Sequence, residues 1–213
     1  MPATNGPSPD TPYPMRGIDR LYFLKNFITR PNIAVGDYTY YDDPEGPENF
    51  ERNVLYHFDF LGDRLVIGRF CAIAAGTRFI MNGGSHFMAG FTTYPFTIFG
   101  DGWDTALPKL PDFPFKGDTV VGNDVWFGYE SLIMPGTRIG DGAVVAARSV
   151  VTRDVPPYAI VAGNPARVVR TRFDAEVVEL LLRLAWWDRP AEWITRHIPD
   201  LYGNDPERLR ELL

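Results

Sequence analysis

The sequence predicts an all-β solenoid, a parallel β-helix interrupted by long loops and followed by α-helices. Three observations carry that reading. An apolar residue recurs at every sixth position from Val121 through Phe127, Ile133, Ile139 and Val145 to Val151. Two residues before each stands a small or β-branched side chain (Thr119, Val125, Ser131, Thr137, Ala143, Ser149), and Gly or Ala follows most anchors, as at Gly122, Gly128, Gly140 and Ala146. The same phase reappears upstream, because Ile67 precedes Val121 by 54 residues, a multiple of six.

A helix would space apolar residues about 3.6 positions apart, and a long amphipathic strand would alternate strictly. A period of six fits a short strand that ends in a corner. The anchor and the residue two before it point to the same side of the strand. Gly or Ala then turns the chain where a larger side chain would crowd the bend. Three such sides close a turn, so residues 18 apart stack, as with Val121 and Ile139 or Phe127 and Val145. The stacked anchors make a continuous apolar column.

From the N-terminus, residues 1–31 read as an arm. Met1 to Pro14 is rich in Pro, Ser and Asn and lacks the apolar stretch of a secretory signal; it either frays or lies along another surface. The solenoid is assigned to residues 32–172. Val35-Gly36, Thr39 and Tyr41 give a weak first coil, and Ile67, Ile73 and Phe79 anchor the next, with Cys71 and Thr77 two residues before the last pair. Two excursions interrupt it, at about 42–63 and 81–116. Loops of that length in a compact domain are functional or disordered. The second carries Phe87, Phe91, Tyr94, Phe96, Phe99, Trp103, Phe113 and Phe115, too aromatic a set for disorder.

The repeats stop near Pro156-Pro157, and residues 173–213 read as a helical cap. Asp174 is a natural N-cap. Val177, Leu180, Leu181 and Leu184 form one apolar stripe that Trp186, Trp187 and Trp193 extend. Asp205-Pro206 opens a last short helix as cap and first residue. These helices are expected to cover the open end of the solenoid, which would otherwise expose its core and strand edges.

The 213 residues suffice for one sizeable domain. A net charge of −6 argues against nucleic acid or an anionic membrane as partner. No apolar run reaches the ~20 residues of a membrane span. The lone Cys71 leaves no intramolecular disulfide and no multi-cysteine zinc site, in keeping with a reducing cytoplasm. Charge is nevertheless uneven: Arg148, Arg153, Arg167, Arg170 and Arg172 share their stretch with one acid, Asp154.

The chain has three histidines, and an imidazole with a pKa near ~6.5 can take and return a proton at neutral pH. His57 lies among Leu55, Tyr56 and Phe58 and reads as packing. His197 falls in the late helical region, where a surface or capping role fits best. His86 follows Gly83-Gly84 at the base of the aromatic loop and is the candidate for acid–base chemistry. The three stand in no ligand-like spacing, so no metal site is expected.

The hexapeptide repeats, the segment Phe79 to Met88 around His86, the run Gly117 to Trp126 and Gly163-Asn164-Pro165-Ala166-Arg167 resemble the xenobiotic acetyltransferases. Thr93-Tyr94-Pro95-Phe96, Phe99 to Trp103 and Pro108-Lys109-Leu110 favour the streptogramin branch over the chloramphenicol one. The resemblance runs from about Asn32 to Pro190. It implies a left-handed β-helix, a homotrimer with active sites between subunits, acetyl-CoA as donor and a hydroxyl acceptor. It implies His86 as general base. Cys71 falls at a core-facing repeat position and nothing else suggests a covalent acyl-enzyme, so direct transfer within a ternary complex is expected. The resemblance places Tyr40, Phe58, Leu107, Pro108 and Trp126 at the acceptor. It places Gly163, Asn164 and Pro165 at coenzyme A, with Arg153, Arg167 and Arg170 toward its phosphates and Gly128, Ala146 and Ala147 along the pantetheine arm. Three positions depart from the pattern: Phe87 and Ala89 stand where Arg and Asp are typical, and Phe58 where a second acceptor-site Tyr is typical. A sugar acetyltransferase on the same fold would show a more polar acceptor loop, and a β-helix binding scaffold would have no evident use for an aromatic insertion beside an arginine-rich segment.

Overall fold

The computed structural model describes residues 6–104 and 114–213. Three sheets are built mainly from parallel pairs. The first holds β2 (Ile33–Val35), β5 (Leu65–Ile67), β8 (Thr119–Val121) and β11 (Arg138–Ile139). The second holds β1 (Leu21–Phe23), β3 (Tyr40–Asp42), β6 (Ala72–Ala74), β9 (Trp126–Phe127), β12 (Val144–Val145), β14 (Ala159–Gly163) and β15 (Ala166–Thr171). The third holds β4 (Val54–Leu55), β7 (Arg78–Ile80), β10 (Leu132–Ile133) and β13 (Val150–Val151). From β2 to β13 the chain visits first, second and third sheet in rotation, and β14 and β15 then both join the second.

The hexad anchors are the core. Val121, Phe127, Ile133, Ile139, Val145 and Val151 are all buried, as are the residues two before each. Val121 pairs with Ile139 and Phe127 with Val145, the expected register. Hydroxyls at these buried positions are satisfied locally: Thr39 donates to the Gly68 carbonyl, Thr77 to Ala74 and Thr137 to Met134. At the corner from first to second sheet, each turn places one residue in the left-handed region: Tyr38, Phe70, Asp124, Gly142 and Tyr158. Gly142 has no alternative, because a Cβ there would stand 2.3 Å from the Tyr158 ring.

Pairing offsets locate the insertions. The regular offset is 18 residues, as between Val120 and Arg138, but it is 54 wherever β5, β6 and β7 meet β8, β9 and β10. The excess of 36 residues is the length of 81–116. The stretch 42–63, expected as one excursion, is two. The offset is 32 between β3 and β6 but 25 between β4 and β7, so seven extra residues precede β4 and seven follow it. The first seven fold with α1 (Glu48–Arg52) and the second with a 3-10 turn at Asp59–Leu61. A two-residue strand isolated between such insertions carries no visible hexad.

Both ends of the chain depart from expectation. Residues 21–27 are packed body rather than arm: β1 pairs antiparallel with β3, and Tyr22 and Leu24 join Phe50 of α1 in the buried cluster. Tyr13 meets Tyr22 and Phe27 edge-on. At the other end, α2 (Ala175–Leu184), α3 (Ala191–Leu201) and α4 (Pro206–Glu211) follow. Asp174 and Asp205 cap α2 and α4 as expected, accepting from the Val177 and Glu207 amides. The buried leucines of α2 stand outside the core cluster of the sheets.

Instead Phe173 packs on Tyr158, Arg172 pairs with Asp124 at 3.3 Å, Trp186 meets Phe70, and Arg69 reaches Asp188 at 3.8 Å. The chain runs back along the first-to-second corner because Tyr38 and Phe70, stacked at 4.7 Å, continue an aromatic track there. The apolar stripe also breaks sooner than expected. Ala185 adopts a left-handed conformation that ends α2, Trp187 is buried in the following 3-10 turn, and Trp193 belongs to α3. Among the described residues no helix is long and apolar enough to cross a membrane.

Candidate active site

The segment after β4 and the long segment after β7 both leave from the corner between the third and first sheets. Their described parts enclose a cavity of about 910 Å³. Tyr56, Phe58, Phe60 and Leu61 line it from the shorter segment; His86, Tyr94, Phe96 and Trp103 line it from the longer. Tyr94, Phe96, Phe99 and Trp103 form one aromatic cluster, with Tyr94 and Phe96 at 4.7 Å and Phe96 and Trp103 at 5.2 Å. An apolar wall with few polar groups suits a small molecule held mainly by burial.

His86 is exposed at this cavity, four residues after a 3-10 turn begins at Asn82. The Gly83 amide donates to the Tyr56 carbonyl at 3.1 Å. A Cβ on Gly83 would meet that oxygen at 2.4 Å and the Phe58 ring at 2.5 Å, so glycine lets the two segments touch. His86 Nδ1 lies 2.9 Å from the Thr93 carbonyl oxygen. A carbonyl only accepts, so Nδ1 carries a proton, and in the neutral ring Nε2 is the nitrogen with the lone pair. The other histidines are committed elsewhere. His57 is buried with Nε2 donating to the Asp63 carbonyl, and His197 lies against Trp193, its Nδ1 donating to that residue's carbonyl.

The acceptor set divides. Phe58 shares the cavity with His86. Tyr40 and Trp126 instead share an outward row of the second sheet, each paired with Ala72. Trp126 is exposed, and burial, with Asp42 and Tyr202 nearby, raises the pKa of the Tyr40 phenol. Leu107 and Pro108 lie outside the described residues.

The donor set also has a common location. Gly128, Ala146, Ala147 and Gly163 stack at the corner between second and third sheets, where Gly128 donates to Val145 and Ala146 to Val161. A Cβ on Gly128 would come within 2.5 Å of the Ala147 nitrogen, so glycine lets successive coils close on each other along this column. Asn164 and Pro165 turn the chain from β14 into β15, which carries Arg167 and Arg170. Among the described residues these two have no acidic partner, whereas Arg148 is paired with Glu130 and Arg172 with Asp124. Arg153 follows β13 on the other corner, the one that bears His86, and is not brought to Arg167 and Arg170.

Burial pushes the Cys71 thiol up to about 12, which removes it as a nucleophile at neutral pH. Among the described residues no three His, Cys, Asp or Glu side chains cluster as metal ligands would. Sequence reasoning missed Tyr56, Asp63 and Asn82, which border or support the cavity; their spacing follows no repeat and only the meeting of two insertions brings them together.

Residues 118–153 match the family described as bacterial transferase hexapeptide (six repeats). A virginiamycin A acetyltransferase of Staphylococcus aureus is 49% identical over 206 residues, covering 97% of this chain and 93% of its own. A probable macrolide acetyltransferase of Lysinibacillus sphaericus is 54% identical over 153 residues, 72% of this chain and 85% of its own. A chloramphenicol acetyltransferase of Agrobacterium fabrum is 43% identical over 195 residues, 87% and 88% of the two chains. Similarity of this extent, over a chain whose hexads form its core, shows an acetyltransferase that belongs to the hexapeptide-repeat family of xenobiotic acetyltransferases.

Proposed function

We propose that the protein moves the acetyl group of acetyl-CoA onto a hydroxyl of a large apolar acceptor, a group A streptogramin in preference to chloramphenicol. It does so as a cytoplasmic homotrimer of left-handed parallel β-helices. The observation that carries this reading is His86, exposed at an apolar cavity with Nδ1 bonded to Thr93 and Nε2 left to accept. Nε2 takes the acceptor's hydroxyl proton as that oxygen attacks the thioester carbonyl. When the tetrahedral intermediate collapses, the C–S bond breaks and the imidazolium returns the proton to the departing sulfur.

The donor fits the residues present. The column of Gly128, Ala146, Ala147 and Gly163 offers a pantetheine arm a corner lined only by small residues, with Ala147 and Gly163 exposed, and Arg167 and Arg170 hold uncommitted charge for phosphates, with Arg153 a further candidate. In one chain this column and His86 occupy different corners. A site completed between subunits brings them together and explains Tyr40 and Trp126 on a face away from Phe58. Exposed Phe91, Ile98, Trp126 and Val169 favour association too. The long, high identity to a virginiamycin A acetyltransferase supports the streptogramin acceptor, and the 43% identity to a chloramphenicol acetyltransferase keeps that antibiotic as the second reading.

Steady-state assays with acetyl-CoA, following free thiol, compare the two antibiotics side by side. The streptogramin should give the higher kcat/KM. A higher value on chloramphenicol, or turnover of neither, rejects the proposed acceptor.

A further inference from the structure

We propose that Asp63 and Asn82 are positioning residues, a clasp that holds the His86 loop against the sheets; this rests on His86 being the base. Asp63 is fully buried and Asn82 nearly so. Asp63 Oδ2 accepts both the backbone amide of Asn82, at 2.9 Å, and its side-chain Nδ2, at 2.7 Å. That same Nδ2 donates to the Gly117 carbonyl at 2.9 Å, and Asn82 Oδ1 accepts the Lys116 amide at 2.8 Å. One side chain therefore grips the place where the long insertion returns, from the place where it leaves. Through Asp63 it also binds the end of the shorter insertion, whose backbone His57 secures by donating to the Asp63 carbonyl.

A buried carboxylate is costly to a fold, and Asp63 Oδ1 has no hydrogen-bond partner among the described residues. The stack does not need it to turn this corner. After β10 the corner closes with the Thr137 hydroxyl on Met134, and after β13 with exposed Asp154 accepting the Arg138 amide. Asp63 and Asn82 stand where the corner also carries an insertion, and there the chain needs something to define where His86 sits. The His86–Thr93 bond lies wholly within the loop, so it orients the ring relative to the loop. The clasp fixes the loop relative to the sheets, four residues from His86. A reacting group displaced by about 1 Å can lose on the order of 10²-fold in rate.

The geometry also says which property of Asp63 matters. Its role is to present one oxygen to two donors, which an Asn side chain can reproduce and an Ala cannot. The test uses full-length Asn82→Ala, Asp63→Asn and Asp63→Ala beside His86→Ala. Each is assayed with acetyl-CoA and whichever of the two antibiotics the wild type acetylates, with thermal midpoint and acetyl-CoA binding recorded as checks on folding. Asn82→Ala and Asp63→Ala should lower kcat by ~10- to 100-fold with KM for acetyl-CoA within about twofold. Asp63→Asn should keep kcat within about threefold, and the ¹⁵N signals of His86 should report the Nδ1–H tautomer in the Asp63 and Asn82 variants as in the wild type, because the bond to Thr93 lies within the loop and only the loop's position is lost. If Asp63→Ala does not accumulate folded, Asn82→Ala carries the test, since it leaves Asp63 its backbone donor. An Asn82→Ala protein with wild-type kcat, or one whose activity falls only in proportion to its folded fraction, overturns the clasp, as does Asp63→Asn behaving like Asp63→Ala. Near-normal turnover by His86→Ala removes the base assignment, and the clasp with it; an inactive His86→Ala beside a fully active Asn82→Ala removes the clasp alone.

Discussion

His86 Nδ1 donates to the carbonyl oxygen of Thr93, seven residues further along the same loop, at 2.9 Å. A neutral carbonyl fixes the tautomer without adding a charge beside the ring, and it leaves Nε2 for the acceptor. The side chain itself is exposed and carries no packing load.

Replacing His86 by Ala should therefore leave the thermal midpoint and acetyl-CoA binding nearly unchanged while turnover falls by ~10² or more. Retained turnover in a folded variant would refute the base assignment.

Arg167 and Arg170, proposed to meet the coenzyme's phosphates, should matter to the donor and not to the chemistry. Changing both to Ala should raise KM for acetyl-CoA about tenfold or more, since hydrogen bonds to charged groups contribute ~1.5–3 kcal/mol each. An acetyl-pantetheine donor, which lacks the nucleotide, should be used nearly as well as by the wild type. Equal loss with both donors would make these arginines structural.

Assembly is open to direct measurement. With Phe91, Ile98, Trp126 and Val169 exposed on the single chain, light scattering at micromolar protein should report a trimer. A fully active monomer would exclude a site shared between subunits.

Much of the fold was legible because the hexads are a backbone property repeated in sequence. Phe127 and Val145 stack as their 18-residue separation requires. What escaped was set by contacts outside the repeat. β4 shows no hexad because seven extra residues flank it on either side. The C-terminal helices carry an apolar stripe that announces burial but not its partner, and the track of Tyr38 and Phe70 that meets Trp186 exists only once the corners stack. At the site, His86 was readable through its local segment and the resemblance that segment carries. Asp63 and Asn82 are 19 residues apart, and only the closure of two insertions makes them neighbours.

Asp43 gives a prediction for acid stability. Burial alone would raise its pKa, but hydrogen bonds from the Tyr41 hydroxyl, the Glu45 amide and the Asn49 side chain outweigh that and hold the carboxyl below its usual range. A lowered folded-state pKa contributes stability above the unfolded value of about 3.9, and that contribution is lost as pH falls through the folded value. Asp43→Asn should lower stability at neutral pH by ~1–3 kcal/mol and flatten the decline below about pH 4. Thermal midpoints of both proteins between about pH 3 and pH 7 decide it. Parallel curves would show that Asp43 is not an acid-sensitive point.

The two segments that wall the cavity leave and rejoin the stack at one corner, and after 36 surplus residues the strands resume the pairing they would have had without them. Such a chain has an exchangeable part. Sequence can drift, lengthen or be replaced between residues 83 and 115 while the ladder bonds of the strands stay as they are, because none of those bonds is made by the described residues of the loop. Selection for a new acceptor then works on a surface whose errors are not paid in unfolding, and a graft of this segment between relatives becomes the natural route to a changed preference.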